Sequence, residues 1–389
     1  MKSRSALIHL GDLPSLCTAW ADLAPTLIFC FCAPDLDLGH AAARHLSRAF
    51  TGAIIVGCSS AGEIGCEGAR DGMISLLGLR FDRTTVRAVQ VPLGGAACSH
   101  TAGRQAAVQL GDGGAGPVTA VFALSPGLDV NGSSLVRGLR AGLGDAVPVT
   151  GGLAVPITGG LAADGPRFGQ TFTILNDQVY TDRLVAVGFQ GDAIRVGTGS
   201  ASGWMPFGAP RRVTHIDGSV LHTLDRKPAL QLYCDYLGDR ANELPSSGLL
   251  YPFALLKEGE CPDGGLIRSV LSIDWETQSV ILAGELPMGG LVRLMHADND
   301  SLIDGAIDAA TQVLAQTGPD PAVLLVSCVG RRSVLGDDVD DEIDAVRSVF
   351  PGRTPIAGFY SYGEIGPFGA DRCAELHNQT MTITSFSER

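Results

Sequence analysis

The chain of 389 residues is long enough for two to three domains of about 150 residues each. Hydrophobic residues make up 45% of the sequence and charged residues 18%, which excludes a disordered, solvating chain. The formal net charge of −13 argues against nucleic acid and against anionic membrane surfaces as partners.

Neither the ends of the chain nor its cysteines indicate export. Asp12 interrupts the apolar residues that follow the N-terminus, so no targeting segment is predicted. The apolar stretch Ala24–Pro34 is about half a membrane span long, and we interpret it as a buried strand. The 10 cysteines form no C-x-x-C pair and suit a reducing compartment as small core residues. We therefore expect a cytoplasmic protein.

A strand–helix–strand pattern occurs three times along the chain. The predicted strand, helix and second strand are Thr26–Cys32, Leu36–Phe50 and Ala53–Val56 in the first copy, Val118–Ser125, Ser133–Leu143 and Val147–Thr150 in the second, and Val323–Cys328, Asp340–Phe350 and Pro355–Ala357 in the third. Two strands joined through one helix favour a parallel pair with a right-handed crossover. Hairpins are predicted beside these units, one of them with Asn176-Asp177 near its turn and Leu184–Phe189 as its second strand.

These elements predict an α/β fold with mixed sheets, built from internally repeated strand–helix–strand units in two domains that face a shared crevice. Residues 1–24 are predicted to be an N-terminal extension, residues 25–222 the first domain and residues 223–389 the second. The boundary lies where the pattern changes to a helix that begins at Pro228, a favourable residue for a first helical turn.

The first and third copies share the motif G-x-x-S-x-G-E-I-G, at residues 57–65 and 358–366. Glycine permits a sharp turn or a close approach, and the motif supplies a hydroxyl (Ser60, Ser361) and a carboxylate (Glu63, Glu364). A carboxylate in such an apolar setting must be paired, hydrogen-bonded or protonated. The two motifs are therefore either polar anchors of a ligand site in one crevice or turns whose glutamates bind their own backbone amides.

Other polar residues stand at the ends of predicted strands. Arg331 follows the strand Val323–Cys328, where it is placed to clamp a carboxylate or propionate, or to pair with the acidic residues 337–344. His377 precedes the last strand and is a candidate ligand of haem iron, or a residue that caps the strand end. His296 and His215 are further single candidates, and Cys261 precedes a proline as in haem-responsive dipeptides.

Several segments resemble the FIST domain family. The run VGCSSAGEIG at residues 56–65 resembles the FIST N-terminal domain. The runs SCVGRR, PIAGFYSYGEIGP and LHNQT between residues 327 and 380 resemble the FIST C-terminal domain, and GWMPFG and DRKPALQLYCDYLG between them are also similar to the family. The resemblance implies an intracellular sensory module that binds a small ligand. With no kinase, cyclase or methyl-accepting module attached, the chain resembles the stand-alone NosP type, which binds haem, senses nitric oxide and regulates a partner histidine kinase in a two-component system.

The resemblance and the motifs together give a set of predicted site residues. The predicted ligand-binding residues are Ser60, Gly62, Glu63, Arg331, Tyr360, Ser361, Tyr362, Glu364 and Asn378, and the predicted axial ligands of haem b are His377 and His296. A sensor for a small polar metabolite such as an amino acid, without haem, is the alternative, and an enzyme that uses the two glutamates as an acid/base pair is a second one. Because the sequence contains no Walker loop, nucleophile elbow or H-E-x-x-H motif, we expect that the protein is not an enzyme.

Overall fold

The computed structural model describes residues 1–112, 116–144, 155–256, 265–368 and 372–389. The helices are α1 (Leu13–Ala19), α2 (Leu36–Ala49), α3 (Ser99–Gly111), α4 (Gly132–Leu143), α5 (Ala229–Leu237), α6 (Asn299–Leu314), α7 (Val329–Leu335) and α8 (Val339–Val349). The strands up to residue 190 are β1 (Lys2–Ile8), β2 (Leu27–Cys32), β3 (Ile54–Ser59), β4 (Glu63–Gly65), β5 (Gly68–Arg70), β6 (Ile74–Arg80), β7 (Thr85–Pro92), β8 (Val118–Ser125), β9 (Ile157–Leu161), β10 (Thr173–Leu175), β11 (Gln178–Tyr180) and β12 (Arg183–Gln190). The later strands are β13 (Ile194–Ala201), β14 (Met205–Asp217), β15 (Val220–Leu224), β16 (Lys227–Pro228), β17 (Phe253–Leu256), β18 (Leu266–Arg268), β19 (Val270–Asp274), β20 (Ser279–Leu282), β21 (Leu291–His296), β22 (Ala322–Cys328), β23 (Ile356–Ser361), β24 (Gly363–Phe368), β25 (Cys373–His377) and β26 (Met381–Glu388).

Three mixed sheets of six strands share one strand order. The orders are β1-β6-β2-β3-β10-β11 in the first sheet, β7-β12-β8-β9-β24-β25 in the second, and β13-β26-β22-β23-β4-β5 in the third. In each sheet the third and fourth strands are a parallel pair joined through helices, as βαβ geometry requires. The predicted α/β fold with repeated strand–helix–strand units is therefore confirmed.

The hairpin that follows each unit pairs with a strand of another sheet. The hairpin β4–β5 follows the first unit and pairs with β23 of the third sheet. The hairpin β10–β11 follows the second unit and pairs with β3 of the first sheet, while β24–β25 follows the third unit and pairs with β9 of the second. This cyclic exchange ties the three units together, so the turns that lead out of their second parallel strands must meet.

The inner faces of the three sheets enclose one apolar core. Phe29, Phe122 and Phe386 come from the three different sheets, with ring centroids 5.0 Å apart for Phe29 and Phe122 and 5.8 Å apart for Phe29 and Phe386. The alternate side chains of the same strands, such as Cys30 and Cys32, point outward and pack under the helices. These strands are apolar on both faces because each face is covered.

The structure corrects two predictions about the second copy. The predicted second strand, Val147–Thr150, lies outside the described residues, and the strand that pairs in parallel with β8 is β9. Asn176-Asp177 does form a tight turn, with a φ of 56° at Asn176, but it joins β10 to the short β11. The run Leu184–Phe189 belongs instead to β12 of the second sheet, where it pairs with β7 and β8.

A fourth sheet has the order β18-β17-β21-β14-β15-β20-β19, with β16 paired to β15, and packs against α5. Residues 2–8, which lie within the predicted N-terminal extension, form the edge strand β1 of the first sheet. The domain boundary near residue 222 stays a prediction. In the part of the chain that the structure describes, no helix is long and apolar enough to cross a membrane.

Candidate functional site

Three equivalent turns meet at the carboxyl ends of the parallel strands. The amide of Ala61 donates to the carbonyl of Tyr360 at 2.9 Å, the amide of Tyr362 donates to Leu161 at 3.1 Å, and the amide of Ala163 donates to Ser59 at 3.1 Å. Each turn thus binds a different neighbour, and the three bonds close a ring. The ring fixes the relative positions of three segments that are far apart in the sequence.

A cavity of about 670 Å³ lies at this ring, a volume typical of sites for drug-sized ligands and cofactors. Its walls are the ends of the parallel strands, where ligands commonly bind in α/β folds. Residues of the fourth sheet and its loops, including Ser269, Leu271, Ile281 and Leu282, cover it from the other side. Four lining residues show this placement. Leu161 and Cys328 are the last residues of β9 and β22, and Ala61 and Gly127 lie two residues after the ends of β3 and β8.

An aromatic pair stands in the cavity wall. The rings of Phe168 and Tyr362 stack with centroids 4.9 Å apart and an angle of 4° between their planes. Phe168 is 56% exposed and has a φ of 45°, a left-handed backbone conformation that is unfavourable for a bulky residue. Such local strain, together with the exposure of a large aromatic side chain, is typical of binding sites.

Asp164 organises the loop that carries Phe168. Its carboxylate accepts hydrogen bonds from the amides of Gly169, at 2.7 Å, and Gln170, at 2.9 Å, and from the phenol of Tyr362. Burial opposes ionisation of Asp164, but these hydrogen bonds outweigh it and hold its pKa below the ordinary value. Burial and the contact with Asp164 raise the pKa of Tyr362, so the phenol stays protonated and holds the loop in place.

The two charged side chains among the lining residues each have a partner of opposite charge. Arg332 forms a bidentate pair with Asp71, with N···O distances of 2.7 and 2.9 Å, and also donates to the carbonyl of Ala61. Glu285 accepts from Asn131 at 2.6 Å and from Arg137 at 3.0 Å. Burial of Glu285 opposes its ionisation, but these contacts prevail and lower its pKa. The wall is thus apolar, with compensated charges at its edge.

Glu364, one of the predicted anchors, is buried beneath the ring and is not among the cavity-lining residues. Its carboxyl group accepts from the hydroxyl of Ser361 at 2.6 Å, and from the amide and hydroxyl of Thr380 at 3.2 and 2.9 Å. Burial raises the pKa of Glu364 to about 8, and the hydrogen bonds offset only part of that rise. The hydroxyl of Ser361 also lies 3.3 Å from the carbonyl oxygen of Ser327.

Glu63 occupies the equivalent place in the first turn. Its Oε2 accepts from the amide of Met73 at 2.9 Å, and its Oε1 has no hydrogen-bond partner among the described residues. Burial raises its pKa to about 8. Ser60 is bonded within its own turn, because its hydroxyl donates to the carbonyl of Gly62 at 2.5 Å and accepts from the amide of Gly62 at 3.0 Å.

Arg331 lies in a buried ion pair. Its guanidinium donates to Oε1 of Glu342 at 3.0 and 2.6 Å and to the carbonyl of Leu302 at 2.7 Å, and both charged side chains are 0% exposed. This is the pairing with the acidic segment 337–344 that the sequence left open. Tyr360, also buried, lies beneath Arg332, whose guanidinium carbon is 5.3 Å from the ring centroid.

The candidate haem ligands lie away from the cavity. His377 is buried, with Nε2 at 3.2 Å from the carbonyl oxygen of Gly366, and burial followed by the charge of Arg268 lowers its pKa to about 4. His296 packs its ring against Phe207 at the end of β21. All 8 histidines of the sequence fall within the described residues, and none lines this cavity. The residues around it therefore do not fit a haem held through histidine. Cys261 lies outside the described residues.

Of the predicted ligand-binding residues, Tyr362 is the one in the cavity wall. The others lie behind the ring, where Asn378 donates from Nδ2 to the carbonyl of Tyr362 at 3.4 Å. Sequence reasoning missed Phe168, although an aromatic residue between Pro166 and Gly169 in a loop was a usable signal. Short strands were predictable near β19 and β20, but not that these strands line the cavity, since their packing onto distant units leaves no local trace.

Comparison with known protein families finds two adjacent domain matches. Residues 26–227 match the FIST N domain and residues 229–367 match the FIST C domain. The chain therefore belongs to the FIST family. FIST domains are ligand-binding sensory domains of signalling proteins.

Similar curated proteins come from mycobacteria. An uncharacterized protein of Mycobacterium tuberculosis is 30% identical over 229 residues, which are 57% of this chain and 58% of that protein. An uncharacterized protein of Mycobacterium bovis is 28% identical over 230 residues, again 57% of this chain and 58% of that protein. The match thus spans somewhat more than half the length of these relatives.

Similar solved structures include enzymes. The structure of cyanuric acid hydrolase from A. caulinodans matches with a TM-score of 0.37 and 12% identity, over 100% of this chain and 99% of that one. A chorismatase structure matches with a TM-score of 0.38 and 11% identity, over 99% and 98% of the two chains. The prediction that this chain is not an enzyme is contradicted by these neighbours. The likeness is too weak to carry an activity to this chain.

Proposed function

We propose that this protein is a sensor whose ligand binds in the cavity at the ring of turns, against Phe168 and Tyr362. The observation that carries the proposal is the stacked pair itself. Phe168 is exposed at the cavity and held in a left-handed conformation, and Asp164 fixes its loop. What sets Phe168 apart from other exposed aromatic residues is that its strained backbone holds it stacked on a second ring in a cavity wall.

The lining favours a largely uncharged ligand with a flat or apolar body. Both charged side chains of the wall are already paired, so a charged ligand would lose its hydration without meeting a free counter-charge. A flat ring can stack on the aromatic pair, which contributes about 0.5–1.5 kcal/mol beyond the area it buries. Ser269, Ser333 and Asn131 supply a few polar groups that orient such a ligand.

A thermal-shift screen with three sets of compounds tests this proposal: uncharged planar aromatic compounds, free amino acids, and haemin. We expect aromatic compounds to stabilise the wild type by about 2.7 kcal/mol at a hundredfold excess over the dissociation constant. Phe168→Ala, at the same ligand concentration, should lose about a third to a half of this effect, as expected for fivefold to tenfold weaker binding. Trp275→Ala is the matched control, because Trp275 is 58% exposed and does not line the cavity. Equal stabilisation of both variants, or stabilisation by free amino acids alone, would contradict the proposal.

The finer prediction of a haem-dependent nitric-oxide sensor that regulates a histidine kinase rests on the family resemblance. The absence of histidine from the cavity wall does not favour it. An absorbance spectrum after reconstitution with haemin tests it separately. A Soret band that shifts with nitric oxide and disappears in His377→Ala or His296→Ala would support haem, and would place its iron away from the cavity described above.

A further inference from the structure

We propose that His215, Asp217 and His222 form a binding site for a divalent transition-metal ion of the zinc type, on the fourth sheet. These three residues, the metal cluster hereafter, offer one ligand atom each, and the three atoms lie within 4.8 Å of one another. The sequence singled out His215 alone, because the partners become visible only when the hairpin β14–β15 is formed.

The strand geometry explains why the three side chains meet. His215 and Asp217 are two residues apart on β14, so they point to the same face of the sheet. The pairing of β14 with β15 is irregular here, since His215 pairs with Thr223 while Ile216 pairs with Leu221. His222 is the extra residue between these two pairs, and such a bulge redirects a side chain. It is thereby directed at Asp217.

The distances from Asp217 to the two histidines are close to those around a tetrahedral ion. The Oδ2 atom of Asp217 lies 3.3 Å from Nε2 of His222 and 3.7 Å from Nε2 of His215. Ligand atoms at about 2.0–2.1 Å from zinc in tetrahedral geometry are about 3.3 Å from each other. The two imidazole rings lie beside each other, with centroids 4.6 Å apart.

The donor set indicates the class of metal. Two imidazoles and one carboxylate suit Zn²⁺ and its neighbours rather than Mg²⁺ or Ca²⁺, which prefer sites built of oxygen atoms. The cluster is partly exposed, with His215 and Asp217 54% and 75% accessible, so an ion can enter and a water molecule can complete its coordination. Ser219, in the turn between the two strands, lines the cavity described above, so a bound ion would stiffen the cavity's edge.

Isothermal titration calorimetry of the full, untagged chain with Zn²⁺ in reducing buffer tests the proposal. We expect one site in the wild type, weakened by more than about tenfold in His222→Ala and in Asp217→Asn, since even outer-shell changes cost about 10–100-fold in affinity. His100→Ala is the matched control, because His100 is an exposed histidine on α3, and it should bind like the wild type.

Two results would overturn the metal site. One is a lack of Zn²⁺ binding by the wild type up to about 1 mM. The other is an affinity that is the same in the wild type and in both cluster variants, which would place the ion elsewhere, for example at the exposed Cys98. Asp217→Asn changes an exposed side chain and keeps its size, so circular dichroism of the metal-free variant should match the wild type and exclude misfolding as the cause.

Discussion

The amide of Ala61 donates a 2.9 Å hydrogen bond to the carbonyl of Tyr360, and the amide of Tyr360 donates one of 2.9 Å to the carbonyl of Gly62. This reciprocal pair joins the two serine–glutamate turns through their backbones. As a result the residues between the serine and the glycine, Ala61 and Tyr362, reach the cavity, while Glu63 and Glu364 stay beneath it.

Removing one partner of the Arg331–Glu342 pair should strongly destabilise the folded protein. Arg331→Ala leaves the buried carboxylate of Glu342 without its cation, which costs about 3–5 kcal/mol. Urea denaturation of both single variants and the double variant measures the coupling. We expect the double variant to be less destabilised than the sum of the single ones. Strict additivity would contradict the buried pair.

The glutamates of the two turns should make stability fall as pH rises. Burial raises the pKa values of Glu63 and Glu364 to about 8 from 4.5, so the folded state keeps protons that the unfolded state releases. The contribution of the two protonated glutamates to the free energy of unfolding is fully present below about pH 4.5. It is lost as pH rises towards 8, by up to about 1.4 kcal/mol per pH unit for each group.

The ionisation of His377 changes stability in the opposite direction at lower pH, so the pH dependence is best measured between pH 6.5 and 8. Its pKa is lowered from 6.5 to about 4, and the stability it contributes is lost as pH falls through that range. The free energy of unfolding of Glu364→Gln, measured with denaturant, should fall with pH about half as steeply as that of the wild type between pH 6.5 and 8. Adding Glu63→Gln should remove the remaining pH dependence. If the stability of the double variant still falls with pH as it does in the wild type, Glu63 and Glu364 are not the cause of the pH dependence.

Gly62→Ala should disturb the ring of turns. Gly62 has a φ of 137°, and a Cβ atom there would lie 2.5 Å from Nη1 of Arg332. We expect a destabilisation of more than about 1 kcal/mol in thermal unfolding. Gly336→Ala is the control, because Gly336 also has a positive φ, of 58°, but its added Cβ would meet no atom within 4 Å. A Gly62→Ala variant no less stable than Gly336→Ala would show that neither the φ of 137° nor the contact with Arg332 matters to stability.

Tyr362→Phe should loosen the loop that carries Phe168. The variant loses the single phenolic proton, which is shared between the carboxylate of Asp164 and the carbonyl of Gly165. A hydrogen bond to a charged group is worth about 1.5 kcal/mol or more, so amide exchange in this loop should accelerate by about tenfold. Tyr180→Phe, on the hairpin β10–β11, should leave it unchanged. Unaltered exchange in Tyr362→Phe would mean that the phenol does not hold the loop.

The repeated units were predictable because each combines a β-rich apolar run with an amphipathic helix. The second strand of the middle unit was not, because the sequence offers V-P-V-T-G-G-L-A at residues 147–154 and V-P-I-T-G-G-L-A at residues 155–162. The two runs have the same local propensities. The run Ile157–Leu161 pairs with β8, and no local pattern predicts that pairing. Helix α6 was also missed, although Asp298 and Ser301 form a capping box at its start.

The candidate site was predictable in part. The glycine–serine–glutamate motifs mark two of the turns at the cavity, because glycine at these positions allows backbones to approach closely. They did not reveal which side chains face the cavity, since that depends on hydrogen bonds between units far apart in the sequence, such as the bond from Ala61 to Tyr360. The contribution of the fourth sheet depends on packing that no local pattern encodes.

A fluorescence titration with Nile red, an uncharged planar dye whose emission rises in apolar surroundings, tests most directly whether the cavity is a ligand site. We expect saturable binding by the folded wild type and by Trp275→Ala, and about fivefold to tenfold weaker binding by Phe168→Ala, the loss expected for an aromatic contact. If Phe168→Ala binds the dye as tightly as the wild type, or if the folded wild type shows no saturable binding, ligand binding at this aromatic pair is contradicted.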